Sequence, residues 1–470
     1  MLNPVPGRVS RMISMLRRAF VLIFLASSSL VIADRVDEIA NAAMKQVKSP
    51  GMAIAVIKDG QVVKIGTYGF ANLEHNTRVT SKTVFEIGSV TKQFWSAALL
   101  QLVAEKKISL DETYGSVFPD CPAHWKDLTM SQLLSHTSGV PDYLGPGFLP
   151  RQDYTYDKLL DLVREKPLDF PAGSSWSYSN SGFLMTAHMV EEKLNIKWDD
   201  LVSERIWKPL GMNSAQQHSF SQVIPHRATG YMTLGTRTLN AEILRGSSAG
   251  AAGAIVCDIE DMAIWAKALL EGRVGKPGSI TPAMSPVTLT SGRTYPYGYG
   301  WMMDERNGAN IVTHGGNTYG QSALITLMPS EKIAVVILSN IVGQNYTGLS
   351  YVIGQQYSDK FKPETFEVQP DPDKTRTHRI WDSLEDAMSI KPTFSDAAEE
   401  LKGLMSQRGR SAAAGFRTAF GKVRSMEYIK ERKQGDDTEV FYRVHGKSTP
   451  VVLKFLIDKD GKLVRFTGAG

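Results

Sequence analysis

Hydrophobic and polar positions along the chain form blocks that predict both helices and strands. A helix is expected over residues 33–47, and an apolar run follows it at 52–57. After a Lys-Asp-Gly turn at 58–60, alternation resumes at Val62, which is the pattern of a β-hairpin. The folded part of the chain is therefore expected to begin with a helix and a hairpin.

The segment at 84–107, VFEIGSVTKQFWSAALLQLVAEKK, combines a local structural signal with reactive side chains. Its first apolar run stops at Gly88. Ser89 then opens a predicted helix, with apolar positions at Phe94, Ala97, Ala98, Leu102 and Val103. Because Lys92 follows Ser89 by three residues, one helical turn places both side chains on the same face.

A serine and a lysine on one helix face can form a nucleophilic pair. A serine hydroxyl is a weak nucleophile until a neighbouring base or cation activates it. A desolvated ammonium can lose its proton or stabilise an anion, and free N–H groups at the helix N-terminus can face an oxyanion. The alternative is a serine N-cap followed by a surface lysine, which would be preferred for an S-x-x-K pattern on its own.

Turn composition next to a predicted helix marks a second candidate segment. Residues 171–181 are rich in Pro, Gly and Ser, and a helix is predicted from Gly182. Tyr178 and Asn180 are therefore expected on a loop, where their side chains can point into a cleft. A similar arrangement recurs at 245–272, where small residues precede a helix.

Several strands are predicted between residues 297 and 340, with tight turns at 307–308 and 329–330. His314 lies at the end of one of these strands. Gly315 and Gly316 follow it and would let a substrate backbone approach the strand edge closely.

The C-terminal part of the chain has a different composition. Proline and charge predominate from about residue 356, which indicates a linker. A helix with Ser395 as its N-cap and then three or four alternating strands are predicted beyond it. The expected division is a signal peptide at 1–33, a main domain at 34–358, a linker at 359–376 and a small α+β domain with an antiparallel meander at 377–470.

The N-terminus has the layout of a cleavable signal peptide. Four arginines within the first eighteen residues precede a short apolar stretch at 19–33. The protein is therefore expected to be secreted or periplasmic, with no membrane span after cleavage. An uncleaved N-terminal anchor is the alternative, although fifteen residues are short for a span.

Charge and cysteine content exclude several classes of function. Without the four N-terminal arginines, the 53 basic residues fall to 49 against 48 acidic ones, which gives no basic footprint for nucleic acid. The two cysteines, Cys121 and Cys257, are compatible with one disulfide or with two free thiols. The nine histidines show no metal-ligand spacing, so neither a metal nor a cofactor is expected.

Ser89-Val90-Thr91-Lys92 is the only S-x-x-K in the chain, and Tyr178-Ser179-Asn180 is the only Y-x-N. With His314-Gly315-Gly316, these motifs resemble the serine β-lactamase and penicillin-binding-protein superfamily. The resemblance is to its class C-like branch of D-amino-acid peptidases and esterases. It extends over residues 36–345 through LLSHTSGVPDY, PAGSSWSYSNSGF, PLGMNSA and AAGAIVCDIEDMAIWAKALL. The resemblance implies an α+β fold in which helices flank an antiparallel sheet and a separate subdomain is entirely helical.

The resemblance also implies a role for each motif residue. Ser89 would be the acylated nucleophile, Lys92 would assist its deprotonation, and Tyr178 would be the general base. Asn180 would bind the substrate amide. The backbone N–H groups of Ser89 and Asn317 would form the oxyanion hole, and the strand through Gly315 and Gly316 would bind an extended substrate.

The sequence departs from the family pattern at His314, where better-known members have the lysine of Lys-Thr-Gly. Histidine, with a reference pKa near 6.5, would be only partly charged at neutral pH and would bind a substrate carboxylate less well. A lysine at this position is therefore expected to increase acylation by penicillins.

The function expected from the sequence is that of a secreted serine hydrolase acting on a D-amino-acid peptide or a small ester. The alternatives are a class C-like β-lactamase and a non-catalytic binding protein on a degenerate fold.

Among the remaining aromatic residues, His136 is expected to hold a loop. Packing with partial cleft exposure is expected for Tyr295, Tyr297, Tyr299 and Trp301.

Overall fold

The computed structural model describes residues 35–219, 221–243, 245–389, 391–405, 413, 417–418, 420–447 and 449–468. The expected signal peptide at 1–33 lies outside these residues. The helices are α1 (residues 35–47), α2 (Thr91–Ala104), α3 (Tyr114–Val117), α4 (Met130–Leu134), α5 (Tyr156–Asp161), α6 (Asn180–Leu194), α7 (Trp198–Val202), α8 (Lys208–Leu210), α9 (Gly246–Gly253), α10 (Ile259–Leu270), α11 (Thr347–Gly354), α12 (Lys374–Ala387) and α13 (Glu399–Leu404).

The strands are β1 (Gly51–Lys58), β2 (Gln61–Asn72), β3 (Thr77–Arg78), β4 (Phe85–Glu86), β5 (Gln216–Gln217), β6 (Tyr231–Leu234), β7 (Arg237–Asn240), β8 (Ile255–Cys257), β9 (Val287–Thr288), β10 (Thr294–Tyr295), β11 (Met302–Arg306), β12 (Ala309–Asn317), β13 (Ser322–Met328), β14 (Ile333–Ser339), β15 (Ser425–Gln434), β16 (Asp437–His445), β17 (Val451–Ile457) and β18 (Leu463–Gly468). The predicted α+β class is confirmed.

The main sheet is antiparallel and has the strand order β11-β12-β13-β14-β1-β2-β3. The interior strand β1 pairs with the central strand β14 in the register Ile54 with Ile337. Side chains alternate across β1, so Met52, Ile54 and Val56 join one apolar cluster while Ala53, Ala55 and Ile57 join another. Helices cover both faces, which is why the strand is a continuous apolar run.

Helix α2 lies in the centre of the larger cluster and is buried from Thr91 to Leu102. The apolar positions predicted for it are therefore correct, but the helix is buried on all sides. Two of its buried side chains have internal hydrogen bonds, since Trp95 Nε1 donates to Thr186 Oγ1 (2.9 Å) and Trp265 Nε1 donates to Gln93 Oε1 (3.2 Å). Each of these two hydrogen bonds offsets part of the cost of burying a polar group.

The C-terminal unit, from residue 374 onward, has its own apolar cluster beneath the sheet β15-β16-β17-β18. Of the three or four strands predicted, four are present in meander order. Helix α12 was missed, because it starts at Lys374 within the predicted linker. Its N-cap Asp373 accepts a hydrogen bond from the Arg376 N–H, and only Ile380, Leu384 and Ala387 are buried, in a segment dominated by polar residues.

The predicted N-cap at Ser395 is wrong. Helix α13 begins at Glu399, and its N-cap residue Ala398 makes no side-chain hydrogen bond. The chain turns earlier instead, because Phe394 has a φ of +54° and its N–H donates to the Asp386 carboxylate (2.6 Å).

Cys121 and Cys257 are both free thiols, which settles the alternative that the sequence left open. Cys257 is fully buried on β8. In the part of the chain that the structure describes, no helix combines the length and the apolar character needed to cross a bilayer.

Candidate active site

Ser89 and Lys92 lie where two short elements join. Ser89 is in a 3-10 turn, Gly88–Val90, that runs directly into α2, and its hydroxyl does not cap the helix. Lys92 is fully buried one turn later, and its Nζ lies 3.1 Å from Ser89 Oγ. The structure therefore excludes the alternative of a serine N-cap followed by a surface lysine.

Two further acceptors hold the Lys92 ammonium. Nζ donates to Asn180 Oδ1 (2.8 Å) on α6 and to the Ala252 carbonyl (2.7 Å) on α9. An ammonium has three N–H donors, and together with Ser89 these partners give it three directed contacts. The lysine is thus fixed in position below the serine hydroxyl.

Two glycines allow β12 to lie directly against the turn that bears Ser89. A Cβ on Gly316 would lie 1.9 Å from the Ile87 carbonyl oxygen, and a Cβ on Gly88, whose φ is +51°, would lie 2.7 Å from the Asn317 nitrogen. A side chain at either position would push the strand away from the turn. The backbones of Ser89 and Asn317 are therefore close neighbours.

The strand β12 presents an open edge beside this turn. Its partner β11 begins at Met302, which pairs with Thr313, so among the described residues 314–317 pair only with β13. Gly315 and Asn317 are exposed on this segment. Unpaired backbone groups on a strand edge can hydrogen-bond an extended peptide.

The loop at residues 171–179 brings Tyr178 to the same place. The Lys92 Nζ lies 4.8 Å from the centre of the Tyr178 ring. His136 holds the loop, since the Ser177 N–H donates to the His136 carbonyl (2.9 Å) and the Ser179 N–H donates to its Nδ1 (3.2 Å). The loop-holding role expected for His136 agrees with these contacts.

Asn180 is the first residue of α6, and the predicted helix start at Gly182 is two residues late. Its side chain contacts two charged groups at once. Oδ1 accepts from Lys92, and Nδ2 donates to the Asp142 carboxylate at 3.1 and 3.3 Å. The orientation of the Asn180 amide is fixed by this arrangement.

Asp142 is the residue at the site that sequence reasoning missed. It lies in the quoted segment LLSHTSGVPDY, but nothing local distinguishes it from a surface acid after a proline. The Leu144 N–H donates to its Oδ1 (3.2 Å), and the carboxylate is only partly buried. The structure thus places the Asp142 carboxylate close to Lys92, with only the Asn180 amide between them.

A chain of hydrogen bonds joins His136 to His314 through Tyr297. His136 Nε2 lies 3.1 Å from Tyr297 OH, which lies 2.9 Å from His314 Nε2, and His314 Nδ1 lies 2.6 Å from the Gly315 carbonyl. With both rings neutral, every donor in this chain meets an acceptor. Tyr297 is fully buried, so the predicted partial cleft exposure is wrong for it.

His314 is uncharged, which corrects the expectation of partial charge. Burial, together with the nearby Lys92 charge, lowers the pKa of His314 to about 3 from the usual 6.5. Both ring nitrogens face protein groups. The ring therefore offers no cation to a substrate carboxylate at neutral pH.

The geometry brings together all the predicted site residues: Ser89, Lys92, Tyr178, Asn180, His314, Gly315, Gly316 and Asn317. Among the described residues, no cluster of three or more His, Cys, Asp or Glu side chains could hold a metal ion. A serine beside a buried lysine and a tyrosine, at the edge of an antiparallel sheet, defines the class of serine hydrolases with a β-lactamase/transpeptidase-like fold.

Residues 36–356 match the β-lactamase family, and the chain belongs to that family. A D-aminopeptidase from Gluconobacter oxydans is 24% identical over 429 residues, which cover 89% of this chain and 78% of that protein. A D-aminopeptidase from Brucella canis is 30% identical over 308 residues, covering 63% of this chain and only 57% of the relative.

The structural comparison extends over most of the chain. The octameric penicillin-binding protein homologue from Pyrococcus abyssi superposes with a TM-score of 0.63 over 90% of this chain and 96% of that one. Sequence identity is 19%, so this similarity concerns the fold.

Proposed function

We propose that this serine hydrolase is an aminopeptidase or amidase that removes a D-amino acid residue with a free amino group. The observation that favours this function is the Asp142 carboxylate, held by Asn180 within the Lys92 network. A carboxylate beside the acyl-binding amide is the complement of a substrate ammonium. The names of the two relatives agree with this choice.

In the proposed reaction Ser89 Oγ attacks the substrate carbonyl carbon, and its proton passes to the Tyr178–Lys92 pair. The backbone N–H groups of Ser89 and Asn317 stabilise the oxyanion. The C–N bond then breaks as Tyr178 returns the proton to the leaving nitrogen. Water, deprotonated by the same base, hydrolyses the acyl-enzyme and restores Ser89.

The neutral His314 supports an amide substrate over the alternatives. Carboxypeptidase substrates and penicillins present a carboxylate near the scissile bond, where a cation would stabilise it. His314 supplies none at neutral pH. A non-catalytic role is disfavoured, because Ser89 and Lys92 remain hydrogen-bonded.

A substrate panel tests this proposal. D-alanine p-nitroanilide should be cleaved at least 100-fold faster than either its L-isomer or its N-acetyl derivative, and Ser89→Ala should abolish cleavage. Diacetyl-Lys-D-Ala-D-Ala and benzylpenicillin report the carboxypeptidase and β-lactamase alternatives. Preference for either of these two would refute the aminopeptidase proposal.

We also propose that the protein acts outside the cytoplasm. The support is the basic segment and short apolar stretch at 1–33. Expression of the full chain in a bacterial host, followed by N-terminal mass analysis, should give a product that begins at Asp34. An intact N-terminus in the membrane fraction would favour the anchor instead.

A further inference from the structure

The loop that bears Tyr178 is in direct contact with the C-terminal unit. Ser175, three residues before Tyr178, is fully buried and donates its hydroxyl hydrogen to the Glu400 carbonyl on α13 (2.7 Å). On the same helix, a Cβ on Gly403 would lie 2.3 Å from Ser175 Oγ. Helix α13 therefore lies flat against the loop, with no space between them.

A second contact reaches the loop through the hairpin β9–β10. The Trp176 ring stacks on Tyr295 of β10, with centroids 4.4 Å apart and an angle of 14°. The guanidinium of Arg465, on β18, lies over the Tyr295 ring, 5.9 Å from its centre. Arg465 also donates a hydrogen bond to the Thr294 carbonyl (2.6 Å). The aromatic neighbour of Tyr178 is thus supported by a strand of the C-terminal sheet.

Arg293, at the tip of this hairpin, fixes the hairpin to the C-terminal unit. Its guanidinium donates to Glu400 Oε1 (2.7 Å) and, through two nitrogens, to the Asp437 carboxylate (2.7 and 3.1 Å). Both carboxylates are more than nine-tenths buried. Burial alone would raise the pKa of Glu400, but hydrogen bonds from the backbone and Arg293 outweigh it and lower the pKa.

We propose that the C-terminal unit positions Tyr178 for catalysis through Ser175 and Arg293, so that the active site is complete only when this unit is docked. Neither residue contacts the reacting atoms, and both act through the 171–179 loop. A base displaced by a fraction of an ångström transfers protons less efficiently, so the chemical step should suffer more than binding does. This inference rests on the proposed role of Tyr178.

The test uses the full chain and Ser175→Ala, with Ser174→Ala as a matched control. Ser174 Oγ donates to the Pro171 carbonyl inside the same loop, so its removal leaves the Ser175–Glu400 hydrogen bond to α13 in place. For the ion pair, Arg293→Met is compared with Lys454→Met. Lys454 pairs with Asp304 (3.4 Å) between the C-terminal sheet and β11, away from the loop.

Hydrolysis of p-nitrophenyl acetate is the assay, because acylation of Ser89 by an aryl ester does not depend on specificity for D-amino acids. The burst amplitude counts active enzyme, so partial unfolding does not lower the measured kcat. We expect kcat to fall about fivefold in Ser175→Ala and about tenfold in Arg293→Met, with KM changed less than twofold. The pH profile of kcat should shift in both variants, and the two controls should match wild type.

Unchanged kcat per active site in Ser175→Ala and Arg293→Met would overturn the proposal, as would equal losses in the two controls. Tyr178→Phe separates this failure from failure of the underlying mechanism. If Tyr178→Phe keeps full activity, the proposed role of Tyr178 is wrong. If it is inactive while Ser175→Ala and Arg293→Met behave as wild type, only the positioning role is wrong.

Discussion

Lys92 Nζ lies 2.8 Å from Asn180 Oδ1, and this bond joins the helix that follows the nucleophile to the helix that follows the tyrosine loop. Since Lys92 is fully buried, the contact fixes the distance between α2 and α6 at the site. It also orients the opposite end of the Asn180 amide toward Asp142.

Replacing Lys92 by Met should abolish acylation of Ser89 and also weaken the fold. Asn180 Oδ1 and the Ala252 carbonyl would lose their donor, and a buried acceptor without a partner costs about 1–3 kcal/mol. We expect kcat to fall at least 10³-fold and the free energy of unfolding to fall by about 2 kcal/mol. Intact-mass detection of the acyl-enzyme and urea unfolding measure the two effects. Formation of a normal acyl adduct would contradict this account of Lys92.

Asp142→Asn should weaken binding of substrates that have a free amino group. Loss of one charge-assisted contact corresponds to about 1.5–3 kcal/mol, or roughly 10- to 150-fold in KM for D-alanine p-nitroanilide. Hydrolysis of p-nitrophenyl acetate should change little, because that substrate has no ammonium.

Asp153→Asn is the matched control for this substitution, since Asp153 is an exposed acid in the same segment between α4 and α5. Equal effects of Asp142→Asn on the charged and the uncharged substrate would show that Asp142 has only a structural role.

Gly316→Ala should disrupt the site while Gly315→Ala is tolerated. The Gly316 Cβ would lie 1.9 Å from the Ile87 carbonyl, whereas the nearest atoms to a Gly315 Cβ are 3.8 Å away. Because the new Cβ would overlap this backbone carbonyl, β12 must move away from the turn that bears Ser89. We expect the free energy of unfolding to fall by about 2–4 kcal/mol. Thermal melting and kcat measured on both variants check this expectation, and similar melting temperatures would contradict it.

His314 should make the protein less stable in acid. Because burial holds its folded-state pKa near 3, the unfolded chain takes up a proton that the folded protein does not. The contribution of His314 to the free energy of unfolding is constant above about pH 6.5. At lower pH the free energy of unfolding falls by up to about 1.4 kcal/mol per pH unit. His314→Gln should therefore show a shallower loss of stability between pH 6 and pH 4 than wild type, measured by urea unfolding.

Exposed His75, replaced by Gln, is the control for this experiment. Parallel stability curves for wild type and His314→Gln would indicate that the His314 ring is charged in the folded protein. In the same series, His314→Lys should increase acylation by benzylpenicillin, followed by intact mass, because it adds the cation that the neutral ring lacks.

The features that depend on neighbouring residues follow from the amino-acid sequence. The three-residue spacing of Ser89 and Lys92 fixes their contact through helix geometry. The apolar run of β1 and the Lys-Asp-Gly turn at 58–60 determine the first hairpin, and the alternating patterns determine the strands of the C-terminal sheet. The family motifs added the identity of the tyrosine and of the strand beside it.

The charge state of His314 and the partners of Asn180 and Asp142 depend instead on long-range packing. Tyr297 lies 161 positions from His136 along the chain, and Glu400 lies 225 from Ser175. Such contacts leave no local pattern, because they depend on how distant elements pack. A pKa depends in the same way on the water that packing removes, which no spacing along the chain records.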